Sequence, residues 1–119
     1  MIRKQSEQVI VQVEEPQGGA GILTMKKIRN GPEELGNKGR AFNHCFLRPG
    51  SGLGFHKHEG TTETLYILKG QAAYTDENGD CTILTVGDVT FTDNGQGHSI
   101  FCTGEEELEF IALVLFKED

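Results

Sequence analysis

Short runs rich in Val, Ile, Leu, Phe, Thr and Tyr alternate with turns of Gly, Asn and Asp from residue 50 onward. This alternation of short strands and turns is typical of an all-β sandwich or barrel. The Asn78-Gly79 pair, which tolerates positive φ, marks one tight hairpin turn. We therefore predict an all-β fold whose strands cover residues 40–47, 53–57, 64–69, 71–75, 81–86, 90–92, 99–103 and 108–116.

The pattern before residue 40 is less regular. Apolar runs at 9–13 and 21–28 are separated by a Pro-Gln-Gly-Gly break, which predicts two edge strands or an arm over residues 1–39. Residues 30–36 are expected to form one short helical turn, with Pro32 near its start and Gly36 after it. Residues 40–119 then form the β-barrel, and the whole chain forms one domain.

Composition narrows the functional classes. A net charge of −7 disfavours a nucleic-acid partner. No apolar run is long enough for a membrane helix and the first residues lack the apolar run of a signal peptide, so we expect a soluble, cytoplasmic protein with no membrane partner. The three cysteines are widely spaced, which predicts buried, reduced thiols rather than a disulfide framework.

Three of the four histidines and one glutamate suggest a metal site. His56 and His58 are two residues apart in a predicted strand, so both side chains project from one face. Glu63 follows after a turn and can return on a neighbouring strand, while His98 enters another strand that a closed barrel can aim at the same axis. Such a donor set suits one divalent transition metal: Mn, Fe, Co, Ni, Cu or Zn. Taken singly, each residue is equally explained as an exposed polar side chain.

The spacing of these residues and the glycines around them resembles the cupin family. Its first motif, Gly-x5-His-x-His-x(3,4)-Glu-x6-Gly, is matched by Gly50, His56, His58, Glu63 and Gly70. The second motif, Gly-x5-Pro-x-Gly-x2-His-x3-Asn, is matched by Gly87, Gly95 and His98, with Asp93 in place of Pro and Cys102 in place of Asn. The resemblance implies a double-stranded β-helix, or jelly-roll barrel, of the small single-domain type. It also implies a metal held by the three histidines and Glu63.

Several other side chains are candidates for a substrate pocket. If the face of strand 40–47 that carries His44 and Arg48 points inward, His44 can support the site and Arg48 can pair with a substrate carboxylate. The alternative is that this face lies outside the barrel. The expected apolar wall is formed by Tyr66, Phe91 and Phe110. Cys102 shares a strand face with His98, but no nearby cation is evident to activate a thiol.

Two classes of function follow from the metal hypothesis. The first is a metal-dependent enzyme of oxygenase, decarboxylase or isomerase type, which binds a small carboxylic or keto acid at open metal positions. No catalytic residue beyond the ligands is identifiable. The alternative is a binding module or sensor without turnover, or a scaffold that only retains the ligands. We also expect a homodimer, in which edge strand 9–13 or 23–28 pairs with a second copy.

Overall fold

Ten antiparallel strands build the structure, a computed structural model that describes residues 1–117. Two single 3-10 turns, at Gln5–Glu7 and Pro16–Gly18, and one short helix, α1 at Gly31–Glu34, complete the elements of this part of the chain. The strands are β1 (Ile10–Glu14), β2 (Ile22–Arg29), β3 (Gly39–Leu47), β4 (Gly52–Lys57), β5 (Thr61–Lys69), β6 (Ala72–Thr75), β7 (Cys81–Leu84), β8 (Val89–Thr92), β9 (Gly97–Cys102) and β10 (Leu108–Phe116).

The strands form two sheets. The six-stranded sheet has the order β1-β2-β3-β10-β5-β8, and the four-stranded sheet has the order β4-β9-β6-β7. Side chains that alternate along each strand fill the space between the two sheets, as the period of a β-strand requires. The buried residues of largest volume lie on this inner face and include Leu47, Leu65, Ile67 and Leu108. The all-β jelly-roll prediction is therefore confirmed.

Each predicted strand from residue 40 onward overlaps an observed one, and α1 falls inside the predicted helical turn. The two earlier apolar runs form a β1–β2 hairpin, and β2 hydrogen-bonds to β3, so the six-stranded sheet includes residues on both sides of position 40. Of these two strands only β1 lies at a sheet edge, because β2 lies between β1 and β3. The expectation that 23–28 offers a free edge is wrong for this reason.

The three cysteines differ in their exposure to solvent. The cysteines are unpaired, and Cys45 and Cys102 are buried, but Cys81 is exposed, so the expectation of three buried thiols is wrong at that position. Within residues 1–117, no helix has the length and apolar character needed to cross a membrane.

Candidate metal centre

The four metal-ligand candidates come from both sheets. His56 in β4 lies directly opposite His98 in β9, and His58 follows the last residue of β4. Glu63 lies in β5, on the facing six-stranded sheet rather than on a strand that neighbours β4. The site therefore lies between the two layers, and it forms only when the sheets pack together.

One atom from each of these four side chains lies within 4.8 Å of the others. The Nε2 atoms of His58 and His98 are 3.0 Å apart. Oε1 of Glu63 lies 3.1 Å from Nε2 of His58 and 2.9 Å from Nε2 of His98. Three polar atoms thus form a nearly equilateral triangle. The ring of His56 completes the group, with its centroid 4.8 Å from that of His98.

Each histidine is oriented through its other ring nitrogen. Nδ1 of His56 lies 2.8 Å from the carbonyl oxygen of Gly54, and Nδ1 of His58 lies 3.2 Å from Oγ1 of Thr61. Nδ1 of His98 is 2.9 Å from the hydroxyl of Tyr74 and 3.0 Å from Oγ1 of Thr92. With a metal bound, Nδ1 would donate to these oxygens and Nε2 would keep the lone pair that a metal ligand needs. Without a metal, the hydroxyls of Thr61, Tyr74 and Thr92 can donate to Nδ1, and the Nε2–H groups of His58 and His98 then face Glu63.

The turn before His98 is fixed against the first motif. The N–H of Gly95, at φ +84°, donates to the carbonyl oxygen of His58 over 2.6 Å. Asp93, which departs from the proline of the motif, accepts a hydrogen bond from the N–H of Asn94 at 2.7 Å and pairs with Lys117 at 2.6 Å. These polar contacts restrain the turn in the place of a proline ring.

The ionisation states favour a bound cation. Burial alone raises the pKa of Glu63, but hydrogen bonds from His58 and His98 outweigh it and lower the pKa to about 2. Burial lowers the pKa of His56, and the nearby His98 lowers it further, although the contact with the Gly54 carbonyl acts in the opposite direction. At neutral pH the site therefore holds a carboxylate beside a neutral imidazole.

The donor atoms fit a divalent transition metal. Ligand atoms about 2.1 Å from an ion lie about 3 Å from their nearest neighbours in the coordination shell. The three distances of 2.9, 3.0 and 3.1 Å among His58, Glu63 and His98 match that spacing. Three imidazole nitrogens and one carboxylate oxygen also form a donor set suited to first-row transition ions.

A cavity leads to the site. Its inner part has a volume of about 80 Å³ and is lined by His56, Glu63 and His98 together with apolar residues such as Phe110. Its outer part, of about 350 Å³, opens past His58 and shares Asn43 and Val114 with the inner part. The inner space holds a few water molecules or a ligand of similar size.

His44 and Arg48 lie outside this cavity, so their expected place in the pocket is wrong. On β3, Asn43, Cys45 and Leu47 point inward, because the pairing with β10 aligns Cys45 with the buried Phe110. The ring of His44 is on the outer face, where Nε2 contacts Oε1 of Glu109 at 2.9 Å. Arg48 borders a separate surface depression with Lys26 and Glu107. Strand alternation places His44 on the outer face, opposite in direction to Asn43 and Cys45.

Of the three aromatic residues expected in the wall, only Phe110 lies there, with 2% of its surface exposed. Tyr66 and Phe91 are 45% and 62% exposed on the outer face of the six-stranded sheet, which corrects their assignment. Each is next in sequence to an inward-facing residue, Leu65 or Thr92, and neighbouring side chains of a strand point to opposite faces. Cys102 is buried in the core, where its thiol lies 3.4 Å from the carbonyl oxygen of Glu106, and it lines neither part of the cavity.

The residues that orient His98 carry no signal in the sequence. Tyr74 and Thr92 are buried side by side, with their hydroxyl oxygens 2.9 Å apart, and both reach Nδ1 of His98. A tyrosine and a threonine in predicted strands are ordinary core or surface residues by pattern alone. Only the packing of β6 and β8 around β9 identifies them.

Comparison with known proteins places this geometry in a family. The family model for the cupin domain matches residues 43–115. The oxalate-binding protein of Thermotoga maritima is 40% identical over 115 residues, which span 97% of this chain and 93% of that protein. The crystal structure of a predicted oxalate decarboxylase from Thermotoga maritima is 39% identical, has a TM-score of 0.91, and matches over 98% of this chain and 100% of that one. A polyketide cyclase from Streptomyces resistomycificus shares the fold, at 18% identity and a TM-score of 0.75 over 99% of this chain and 81% of its own.

Proposed function

This chain belongs to the cupin superfamily, and we propose that it holds one divalent transition metal and binds a small chelating organic acid at that ion. His56, His58, Glu63 and His98 are the proposed ligands. Oxalate is the first candidate acid, because the relative at 40% identity is named an oxalate-binding protein.

The triangle of His58, Glu63 and His98 atoms at the end of an apolar cavity carries this proposal. The four ligands supply one negative charge, so a divalent ion keeps about one positive charge in a site of low effective dielectric. Four protein ligands also leave two positions of an octahedral ion open. An acid that offers two oxygens would fill both positions, and its negative charge would offset the positive charge of the ion.

Besides holding the metal, the residues of this chain have two tasks in that function. The hydroxyls of Thr61, Tyr74 and Thr92 hold the imidazoles in one orientation. Phe110 and its apolar neighbours exclude bulk water from the inner cavity, which strengthens charge interactions there. When bound, the metal supplies a Lewis acid that attracts and polarises the oxygens of the acid.

Elemental analysis of protein purified without added metal, followed by calorimetry with oxalate, tests the proposal. We expect about one transition-metal ion per chain and oxalate binding that disappears after the metal is removed by a chelator. Reloading the stripped protein separately with Mn, Fe, Co, Ni, Cu and Zn identifies which ion restores binding. Oxalate binding that is equally strong without metal would contradict the proposal.

Turnover is the second candidate, and the relative whose structure is described as a predicted oxalate decarboxylase favours it. A metal-dependent enzyme of decarboxylase, oxygenase or isomerase type uses the same ligands. Apart from the four ligands and the buried thiol of Cys45, the ionisable side chains that line the two described parts of the cavity are Arg40, Lys57 and Glu59, and all three border its outer part. Incubation of the metal-loaded protein with oxalate, with assays for formate and carbon dioxide, separates turnover from binding alone.

We also propose that the protein is a homodimer, which packs through the outer face of its six-stranded sheet. A sheet face turned to solvent is normally polar. Here it carries half-buried or exposed apolar side chains on all six strands, including Ile10, Ile22, Phe42, Phe46, Tyr66, Val89, Phe91, Ile111 and Leu113. Six strands about 4.8 Å apart and up to about 30 Å long give a face of about 700 Å², close to the roughly 800 Å² that each partner buries in a standard interface.

A further inference from the structure

Arg40 occupies a β-bulge at the end of β3 nearest the cavity mouth. Against β10, Ala41 pairs with Val114 and Gly39 pairs with Leu115, so Arg40 has no partner in the ladder. The pairing of β3 with β2 is interrupted close by, because Asn43 pairs with Lys27 but Phe42 pairs with Arg29. An extra residue of this kind interrupts the alternation of side chains between the two faces of the sheet.

The bulge directs Arg40 to the cavity. On a regular strand Arg40 would share the outer face with Phe42 and His44, because side chains alternate with a period of two. Instead Arg40 borders the outer part of the cavity together with Ala41 and Asn43. Bulges commonly re-aim a side chain next to a functional site, and this one places Arg40 at the opening that leads to the four ligands.

A tightly packed turn borders the same mouth. The turn Pro16–Gly18 lies against β4, with Pro16 buried and Gln17 in the left-handed region at φ 52°. The carbonyl oxygen of Gln17 approaches Gly54 so closely that a Cβ atom on Gly54 would lie 2.2 Å from it. Gln17, which this turn holds in place, and Arg40 both border the mouth.

Arg40 is also available to a ligand. Among residues 1–117 it forms no ion pair, although the protein carries a net charge of −7 and offers many acidic partners. The other charged side chains that line the outer cavity, besides the ligands, are Lys57 and Glu59, and their charges cancel. Arg40 thus gives the mouth a net positive charge outside the ligand group.

We propose that Arg40 determines the specificity of the site for dicarboxylates, by binding the outward-facing oxygens of an acid whose other oxygens face the ligand group. This inference rests on the proposed function and adds the class of acid that the site selects. An acid such as oxalate turns two oxygens inward and leaves two outward, and the planar guanidinium fork matches such a pair bidentately. Glycolate also chelates, but it leaves only one carboxylate oxygen outward.

The test compares oxalate and glycolate binding by calorimetry on the metal-loaded full chain. Arg40→Gln should weaken oxalate binding by roughly 10- to 100-fold, as expected for the loss of a charge-assisted bidentate contact. Glycolate binding should weaken less, so the preference for oxalate falls. Arg40→Lys should recover part of the affinity but not the preference, because an ammonium has no fork.

Arg48→Gln is the matched control, since it removes the same charge at the other end of β3, on the surface away from the cavity. It should leave both affinities within about two-fold, and all variants should hold the same metal content as the wild type. An unchanged oxalate preference in Arg40→Gln, or an equal loss in Arg48→Gln, would overturn the role of Arg40. If the wild-type protein binds neither acid, the proposed function itself fails.

Discussion

The hydroxyl of Tyr74 lies 2.9 Å from Nδ1 of His98, so a buried phenol and a metal-ligand candidate form one hydrogen-bonded unit. Thr92 contacts the same nitrogen at 3.0 Å, and only 2% of the surface of His98 is exposed. This burial keeps water from taking the place of Tyr74 or Thr92 at Nδ1 of His98. The orientation of His98 is thus determined by side chains from β6 and β8, on both sides of the barrel.

Removal of these partners should weaken metal binding without removing a ligand. We expect Tyr74→Phe to lower metal affinity by about 10-fold, because Thr92 still restrains His98, and the double variant with Thr92→Val to lower it by about 100-fold. Competition with a metal-binding dye measures both values. Equal affinity in the double variant and the wild type would show that the imidazole needs no such restraint.

His98→Ala should abolish stoichiometric metal while the β fold remains. The variant removes one of four donors, and the core of Leu47, Leu65 and Ile67 does not depend on the ion. Metal content and circular dichroism measured on the same sample check this. His44→Ala is the control, because His44 lies on the outer face and its loss should leave one metal per chain. Full metal content in His98→Ala would exclude this ligand.

The proposed site should prefer chelating acids to neutral sugars of similar size. An acid neutralises the residual charge of the ion, whereas a sugar does not. Calorimetry with oxalate, a small α-keto acid and a neutral sugar on metal-loaded and metal-free protein measures the difference. Tighter binding of the sugar would mean that the cavity walls, rather than the ion, select the ligand.

The metal-free protein should lose part of its stability in acid through Glu63. Its pKa is lowered from 4.5 to about 2 in the folded state, so the carboxylate stabilises the fold above pH 4.5 and this contribution disappears as the pH falls towards 2. At neutral pH the contribution is roughly 3 kcal/mol. The difference in urea-unfolding free energy between the wild type and Glu63→Gln should therefore shrink between pH 5 and pH 2. Glu105→Gln, in an exposed turn, should show no such trend.

Sedimentation at micromolar concentration should show a dimer. Val89→Lys combined with Phe91→Lys places two charges on the proposed interface and should give a monomer with unchanged metal content. Ile83→Lys is the control, since Ile83 is equally exposed but lies on the four-stranded sheet. Deletion of residues 1–15, which removes edge strand β1, should give a monomer or an aggregate. A monomeric wild type contradicts the proposal.

The sequence alone determined the fold class and the four candidate ligands. Glycines and polar turns at short intervals defined the strands, and the spacing of His56, His58, Glu63 and His98 identified a donor set. Both are local signals: strand alternation places His56 and His58 on one face whatever the rest of the chain does. The same rule could not say which face of β3 points inward, because Phe42, His44 and Phe46 form as plausible an apolar face as Ala41, Cys45 and Leu47.

Only the tertiary structure decided the rest. The packing of the two sheets places Glu63 opposite β4. It also leaves His44, Arg48, Tyr66 and Phe91 on the outer surface. Tyr74 and Thr92 contact His98 as a result of the same packing. The bulge that directs Arg40 to the cavity depends on its pairing with β10, about 75 residues further along the chain. Such features arise from contacts between distant segments, and no pattern within a single strand encodes them.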